Sequence, residues 1–229
     1  MKTIGILGGM SAASTQIYYR ALCEMTQARL GGLHSPELLI RSLNFAVIEQ
    51  LQMADRWDEA GARLNREARA LQSAGAEILV LATNTMHKLT GHMLAGVTIP
   101  FLHIADATAA AITAKGLTAP GLMATRFTME QDFYIERLEH AGLSPVIPDS
   151  TDRTATHDII YDELCKSIVT EESRATYEAI AARLVDRGAD CLILGCTEVG
   201  LLLNAGNVSV PVFDTTMIHC QAALDLALA

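Results

Sequence analysis

Two stretches of the chain set residues capable of chemistry at matched positions. GADCLILGCTE (188–198) closes on Gly195, Cys196, Thr197 and Glu198. GAEILVLATNT (75–85) has the same build, Gly-Ala-acid and then an apolar run, and closes on Thr83, Asn84 and Thr85. Laid over one another without gaps, the stretches put Thr83 against Cys196. A thiol that follows a glycine at a strand end and opens a helix is expected to have a lowered pKa, which makes the thiolate a usable base or nucleophile. The hydroxyls and amide of Asn84, Thr85 and Thr197, with the N–H groups of a helix start, form an anion site that needs no lysine. A small carboxylate is a natural occupant. Each of these residues taken singly reads as a helix cap; the mirrored set favours a site.

The other candidates are weaker. Cys23, Cys165, Cys191 and Cys220 lie inside helical or strand patterns and read as core thiols. Cys191 and Cys196 would lie along one strand, a poor geometry for a disulfide. The five cysteines contain no Cys-x-x-Cys pair, and an odd count does not describe a disulfide framework. No His/Asp/Glu spacing reads as a metal site, and His87 and His103 read as structural or supporting residues. Gly8-Gly9 is not a GxGxxG loop, so no dinucleotide is implied.

These residues need elements to position them. Short apolar runs at 4–7, 37–42, 78–82 and 98–101 alternate with segments of helical period at 14–30 and 56–74, and another starts near Ile104. Buried runs alternating with helices argue for parallel sheets with right-handed crossovers. The pattern then restarts. Residues 119–125 parallel 3–9, the run at 191–195 parallels 78–82, and 210–213 echo 98–101. A helix starts near Thr128, others cover 170–187 and 215–229, and 145–148 is a further strand candidate. Three strand-loop units recurring in order, near one half-chain apart, argue for internal duplication. The expected fold class is therefore α/β: two pseudo-symmetric three-layer α/β/α domains with parallel sheets. The first takes 1–100 plus 212–229 and the second 101–211. In parallel sheets the working loops leave the carboxyl ends of the strands, so the active site is expected in the cleft between the domains, with Thr83 and Cys196 on opposite walls.

Composition narrows the class. Half of the 229 residues are hydrophobic, ample for a core. Net charge is −9, with the 17 Lys and Arg scattered rather than striped, which argues against nucleic acid. No apolar run reaches the ~18 residues of a membrane span, and the start lacks a signal-peptide core. The expectation is a cytoplasmic protein with no membrane partner.

The opening GILGGMS, the block Asn84-Thr85-Met86-His87, and Gly195-Cys196-Thr197-Glu198 together resemble the aspartate/glutamate racemase family from end to end. The resemblance implies a cofactor-independent amino-acid racemase in which one thiolate removes the α-proton and an opposite thiol reprotonates the other face. The family's first cysteine directly precedes the Asn-Thr pair; here Thr83 holds that position, as in a subgroup with Thr in place of the first catalytic Cys. Cys196 matches the second cysteine, which in the family works on the L-face. By the same resemblance Asn84, Thr85 and Thr197 clamp the α-carboxylate, helped by backbone near Met10 and Ser11. Thr125 lines the cleft, and Lys166 engages a distal carboxylate. An arginine that many members carry in the first half is absent; Gln52 is the residue expected in its place. The implied substrate is L-Asp or L-Glu, and the implied assembly a homodimer. A threonine hydroxyl is too weak an acid to serve as a strong base near neutral pH, though it can donate a proton or order a water. Two other classes stay open. One is a single-cysteine relative, such as an arylmalonate-type decarboxylase or a maleate-type isomerase. The other is a catalytically silent amino-acid-binding protein.

Overall fold

The computed structural model describes residues 1–166 and 168–229. Two compact units divide the chain: Met1–His103 with His219–Ala229, and Ile104–Ile218. The first carries β1 (Ile4–Gly8), α1 (Ala12–Leu30), β2 (Leu38–Ser42), α2 (Phe45–Met53), α3 (Trp57–Ser73), β3 (Ile78–Leu81), a 3-10 turn (Thr85–Leu89), α4 (Thr90–Met93) and β4 (Phe101–Leu102). Its four strands are parallel in the order β2-β1-β3-β4.

The alternation of a strand explains the layering. Ile4, Ile6, Ile78 and Val80 face one way and meet Tyr18, Ala21 and Leu22 of α1 and Cys220, Ala223 and Leu224. Leu7, Leu79 and Leu81 face the other way, onto Leu64, Ala68 and Leu71 of α3 and onto Met86 and Met93. Both faces of the sheet are thus covered, as all-parallel sheets require. Each such Ile or Leu contributes roughly 1.5–3 kcal/mol by leaving water.

The second unit repeats the plan with α5 (Ile104–Thr113), β5 (Pro120–Ala124), α6 (Arg126–Glu130), α7 (Asp132–His140), α8 (Ser150–Asp162), a 3-10 turn (Leu164–Lys166), α9 (Glu171–Asp186), β6 (Cys191–Gly195), a 3-10 turn (Thr197–Leu201) and β7 (Val212–Asp214), before α10 (Thr215–Leu228). Its parallel sheet has the order β5-β6-β7. Leu122, Ala124, Cys191 and Ile193 pack with α5 and α7, while Met123, Leu192 and Leu194 pack with α8 and α9. Asp152 of α8 takes a two-pronged contact from Arg183 of α9, at 2.8 and 2.6 Å. The α/β class with parallel sheets and helices on both faces is the one expected from the sequence.

Proline trims the strands. The expected strand at 145–148 reduces to one parallel bridge, Gly121 with Val146, carried by bonds of 3.0 and 2.8 Å. Pro145 and Pro148 flank it and offer no N–H to extend the ladder. Even so, Val146 lies beside β5 as β2 lies beside β1. The expected strands at 98–101 and 210–213 start later, at Phe101 and Val212, because Pro100 and Pro211 only accept, from Leu79 N–H at 2.8 Å and Leu192 N–H at 2.9 Å. Two helices carried no clear periodic signal in the sequence, α2 and α8. Asn44 and Asp149 start them, accepting from the N–H groups of Ala46 and Asp152.

Candidate active site

In the first unit, the loops leaving the carboxyl ends of neighbouring strands β1 and β3 bring Met10, Ser11, Thr83, Asn84 and Thr85 together, all buried. Gly9 makes the turn possible. Its φ is +81°, and a Cβ there would lie 2.1 Å from the Leu43 backbone nitrogen. Its N–H donates to Thr15 Oγ1 at 2.7 Å, and the Thr15 hydroxyl donates to the Ser11 carbonyl at 3.0 Å. Ser11 caps α1, accepting from Ser14 N–H at 3.1 Å. The Ser14 hydroxyl crosses to the Ala82 carbonyl at 3.2 Å and ties this turn to the one after β3.

The loop after β3 bends at once. Thr83 N–H donates back to the Leu81 carbonyl at 2.9 Å, a three-residue γ-type turn. Asn84, not Thr83, occupies the N-cap position of the following 3-10 turn, and it does not cap through its side chain. The Thr83 hydroxyl makes no hydrogen bond among the described residues. A capping role, the ordinary reading of such a threonine, is therefore not what holds it. Gln52, near the end of α2, is buried and donates to Met86 Sδ at 3.0 Å, so it packs beneath this loop.

In the second unit, neighbouring strands β5 and β6 end on Thr125 and on Cys196-Thr197. Thr125 caps α6, accepting from Thr128 N–H at 3.4 Å. Gly195 admits the close approach of β5, since a Cβ there would lie 2.7 Å from Ala124 Cβ. Cys196 donates its thiol proton to Glu198 Oε2, 3.1 Å away, and Glu198 is only 3% exposed.

That contact corrects the expected chemistry of the thiol. Cys196 opens a 3-10 turn of five residues rather than an α-helix, so little dipole acts on it. Burial first, then the Glu198 carboxylate and the neighbouring Cys165, push its pKa well above the ordinary thiol value. The resting group is a neutral thiol hydrogen-bonded to the Glu198 side chain. Glu198, which the sequence reading placed in the motif without a role of its own, is the residue in contact with the thiol. A carboxylate two residues beyond a thiol, on a tight turn after a strand, was the available signal.

Lys166 sits apart in character. It is exposed, on the 3-10 turn at Leu164–Lys166, with its ammonium 3.4 Å from Asp162 Oδ1. That turn packs against Thr197–Leu201, and Cys165 and Cys196 lean on one core cluster. Among the described residues no group of three or more His, Cys, Asp or Glu side chains is arranged to hold a metal ion. No helix among them is long and apolar enough to cross a membrane.

The chain thus has two parallel α/β units, with a thiol–carboxylate pair at one strand end and a threonine at the equivalent end of the other. The Asp/Glu/hydantoin racemase family model matches residues 7–223, and the chain belongs to that family, a family of isomerases that work without pyridoxal phosphate. The chain is similar over 100% of both chains to a solved structure from Yersinia pestis assigned to the Asp/Glu racemases, at 48% identity and a TM-score of 0.93. It is similar, again over 100% of both chains, to an aspartate racemase homologue from Pyrococcus horikoshii OT3, at 34% identity and a TM-score of 0.87. The broad specificity amino-acid racemase RacX of Bacillus subtilis (strain 168) is 22% identical over 99% of this chain and 98% of its own.

Proposed function

We propose that the protein is a cofactor-independent racemase of aspartate or glutamate that works in preference on the L-enantiomer. The observation that carries this reading is the Cys196–Glu198 pair at the end of β6, with Thr83 at the equivalent end of β3. In the forward step Glu198 accepts the thiol proton and the Cys196 thiolate takes the α-proton of the L-amino acid. Negative charge then builds on the α-carboxylate, where the turn N–H groups with Asn84, Thr85 and Thr197 stabilise it, helped by backbone near Met10 and Ser11. A water ordered by the Thr83 hydroxyl returns a proton to the opposite face, and the hydroxide left behind is neutralised by the proton that Glu198 took from the thiol and gives up to solvent. Conversion between the enantiomers is slow in both directions, because the step on the Thr83 face has no strong base, whereas exchange of the L-enantiomer's α-proton through Cys196 is fast. Thr125 serves mainly by holding its own loop. Gln52 supports the Thr83 loop through Met86, and Lys166 offers a charge to a distal carboxylate in competition with Asp162. The assembly is proposed to be a homodimer, as the family resemblance implies, and its location the cytoplasm, as the sequence reading expects.

The test is α-proton exchange in D2O, followed by NMR, with L- and D-forms of aspartate, glutamate and a neutral panel, the last because the RacX relative is broad in specificity. L-aspartate or L-glutamate is expected to lose its α-proton signal faster than the D-form accumulates, and Thr83→Cys to raise exchange of the D-enantiomer. Equal L and D rates in the wild type would assign the second base to a residue other than Thr83. A second reading rests on the single thiol: an arylmalonate-type decarboxylase needs only one protonation. It is favoured if an arylmalonate loses carbon dioxide while no amino acid exchanges.

A further inference from the structure

We propose that His87 is a positioning residue for the Thr83 face of the reaction, its Nδ1–H fixing the Thr83 carbonyl and so the direction of the Thr83–Asn84 peptide. The inference rests on the racemase reading above and assigns a role to a buried imidazole that the mechanism does not otherwise use.

The geometry singles out one bond. The γ-type turn after β3 takes the chain off the ladder, so the Thr83 carbonyl has no strand to pair with. His87 Nδ1 lies 2.7 Å from that oxygen, and since a carbonyl only accepts, Nδ1 carries the proton. The His87 backbone N–H meanwhile donates to the Asn84 carbonyl at 3.1 Å. One residue thus holds consecutive carbonyls, those of the threonine that would reprotonate substrate and the asparagine that would hold its carboxylate.

The ring itself is held from behind. His87 is 2% exposed. Its centroid lies 4.5 Å from His103 and 5.8 Å from His219, both edge-on, and 5.5 Å from Phe101. His219 has a defined tautomer of its own. Its Nε2–H faces the Leu102 carbonyl at 3.0 Å, so Nδ1 accepts from the Tyr18 hydroxyl at 2.8 Å. Burial pushes both His87 and His219 below the usual imidazole range, which keeps the stacked rings neutral and free of mutual repulsion. A neutral ring with a fixed tautomer is a rigid donor, which is what an orienting contact needs.

A purely packing role and a positioning role separate in a pair of variants. His87→Leu removes the donor, while His87→Asn keeps an amide N–H near the Nδ1 position; both lose the ring stack. In His87→Leu, formation of the D-enantiomer from L-aspartate is expected to fall about tenfold or more, because a misaimed acid loses rate steeply. Wash-out of the L-aspartate α-proton, which depends on Cys196, is expected to stay within about threefold. His87→Asn is expected to recover most of the D-product. Equal losses in both variants, or a proportionate fall of wash-out and product, overturn the proposal. If neither variant folds, ¹⁵N-histidine NMR of the wild-type protein decides: an Nδ1–H tautomer at His87 is expected, and an Nε2–H tautomer overturns it. Absence of exchange by the wild type with either enantiomer overturns the racemase reading and this role with it, a result distinct from the face-selective ones.

Discussion

Burial first, and then the Glu198 carboxylate, make the Cys196 thiol a poorer acid in its resting site than free cysteine, and in the proposed mechanism that same carboxylate relieves it of its proton. Opposite effects on two measurements follow for Glu198→Gln. Loss of the negative charge lowers the Cys196 pKa, so alkylation of Cys196 by iodoacetamide at neutral pH is expected to speed up. Turnover is expected to fall by about a hundredfold, the lower range for loss of a positioned proton acceptor. If both rates rise, Glu198 only burdens the thiol. Cys196→Ser replaces the thiol by a hydroxyl of far higher pKa; turnover is expected to drop by at least about 10²–10⁴ while L-aspartate still binds by calorimetry. Cys191→Ser is the control. That thiol is fully buried and pushed up to about 12, and turnover is expected to persist without it. Lys166→Met tests the exposed cation. A charge-assisted contact to a distal carboxylate is typically worth about 1.5–3 kcal/mol, so aspartate is expected to lose at least tenfold in KM while alanine is unchanged. Equal effects on both remove Lys166 from recognition.

At the scale of elements, strand ends position the chemistry and helices hold the strand ends. α10 illustrates the second part. Its His219 bonds to Tyr18 of α1 and to the carbonyl of Leu102 in β4, which joins two helices and an edge strand within one unit. Burial lowers the His219 pKa from 6.5 to about 4. The unfolded chain therefore takes up this proton before the folded one does. Stability from His219 is fully present above the unfolded value and is lost as pH falls towards the folded value, by roughly 3 kcal/mol in all. Urea unfolding at pH 7.5 and pH 4.5 checks this. The wild type is expected to lose more stability across that interval than His219→Gln does, and an identical pH dependence in the variant would show that the imidazole is not held neutral. His87, also pushed down, leaves part of the dependence in place.

At the scale of the molecule, each unit carries a complete sheet with its own cores on both faces, and each ends two neighbouring strands on polar loops. The loops proposed to act on the amino acid make a prediction for amide exchange. Amide hydrogen exchange at residues 84–87 and at residues 197–201 is expected to slow together when L-aspartate is added. At about a hundredfold excess over Kd the linkage is ~2.7 kcal/mol, or about a hundredfold in rate for amides that open only when the ligand leaves. A set of amides whose exchange L-aspartate leaves unchanged has no part in binding it.

The sequence by itself determined the parallel α/β layering and the order of the repeated strands along the chain, because apolar runs buried on both faces and loops at strand ends are local patterns that one chain spells out. It also carried the glycine turn before α1, since a positive φ against the Leu43 backbone admits no side chain. It did not carry the pKa of Cys196. A thiol after a strand reads as activated when a helix follows, yet here a short 3-10 turn follows and a carboxylate folds back onto the sulfur. Nor did it carry the helices α2 and α8 or the histidine stack. His87, His103 and His219 are separated by long stretches of chain and meet only because β3, β4 and α10 pack in one unit. Burial and the direction of a single hydrogen bond depend on the whole packing around a residue, and that information exists only once the chain has folded.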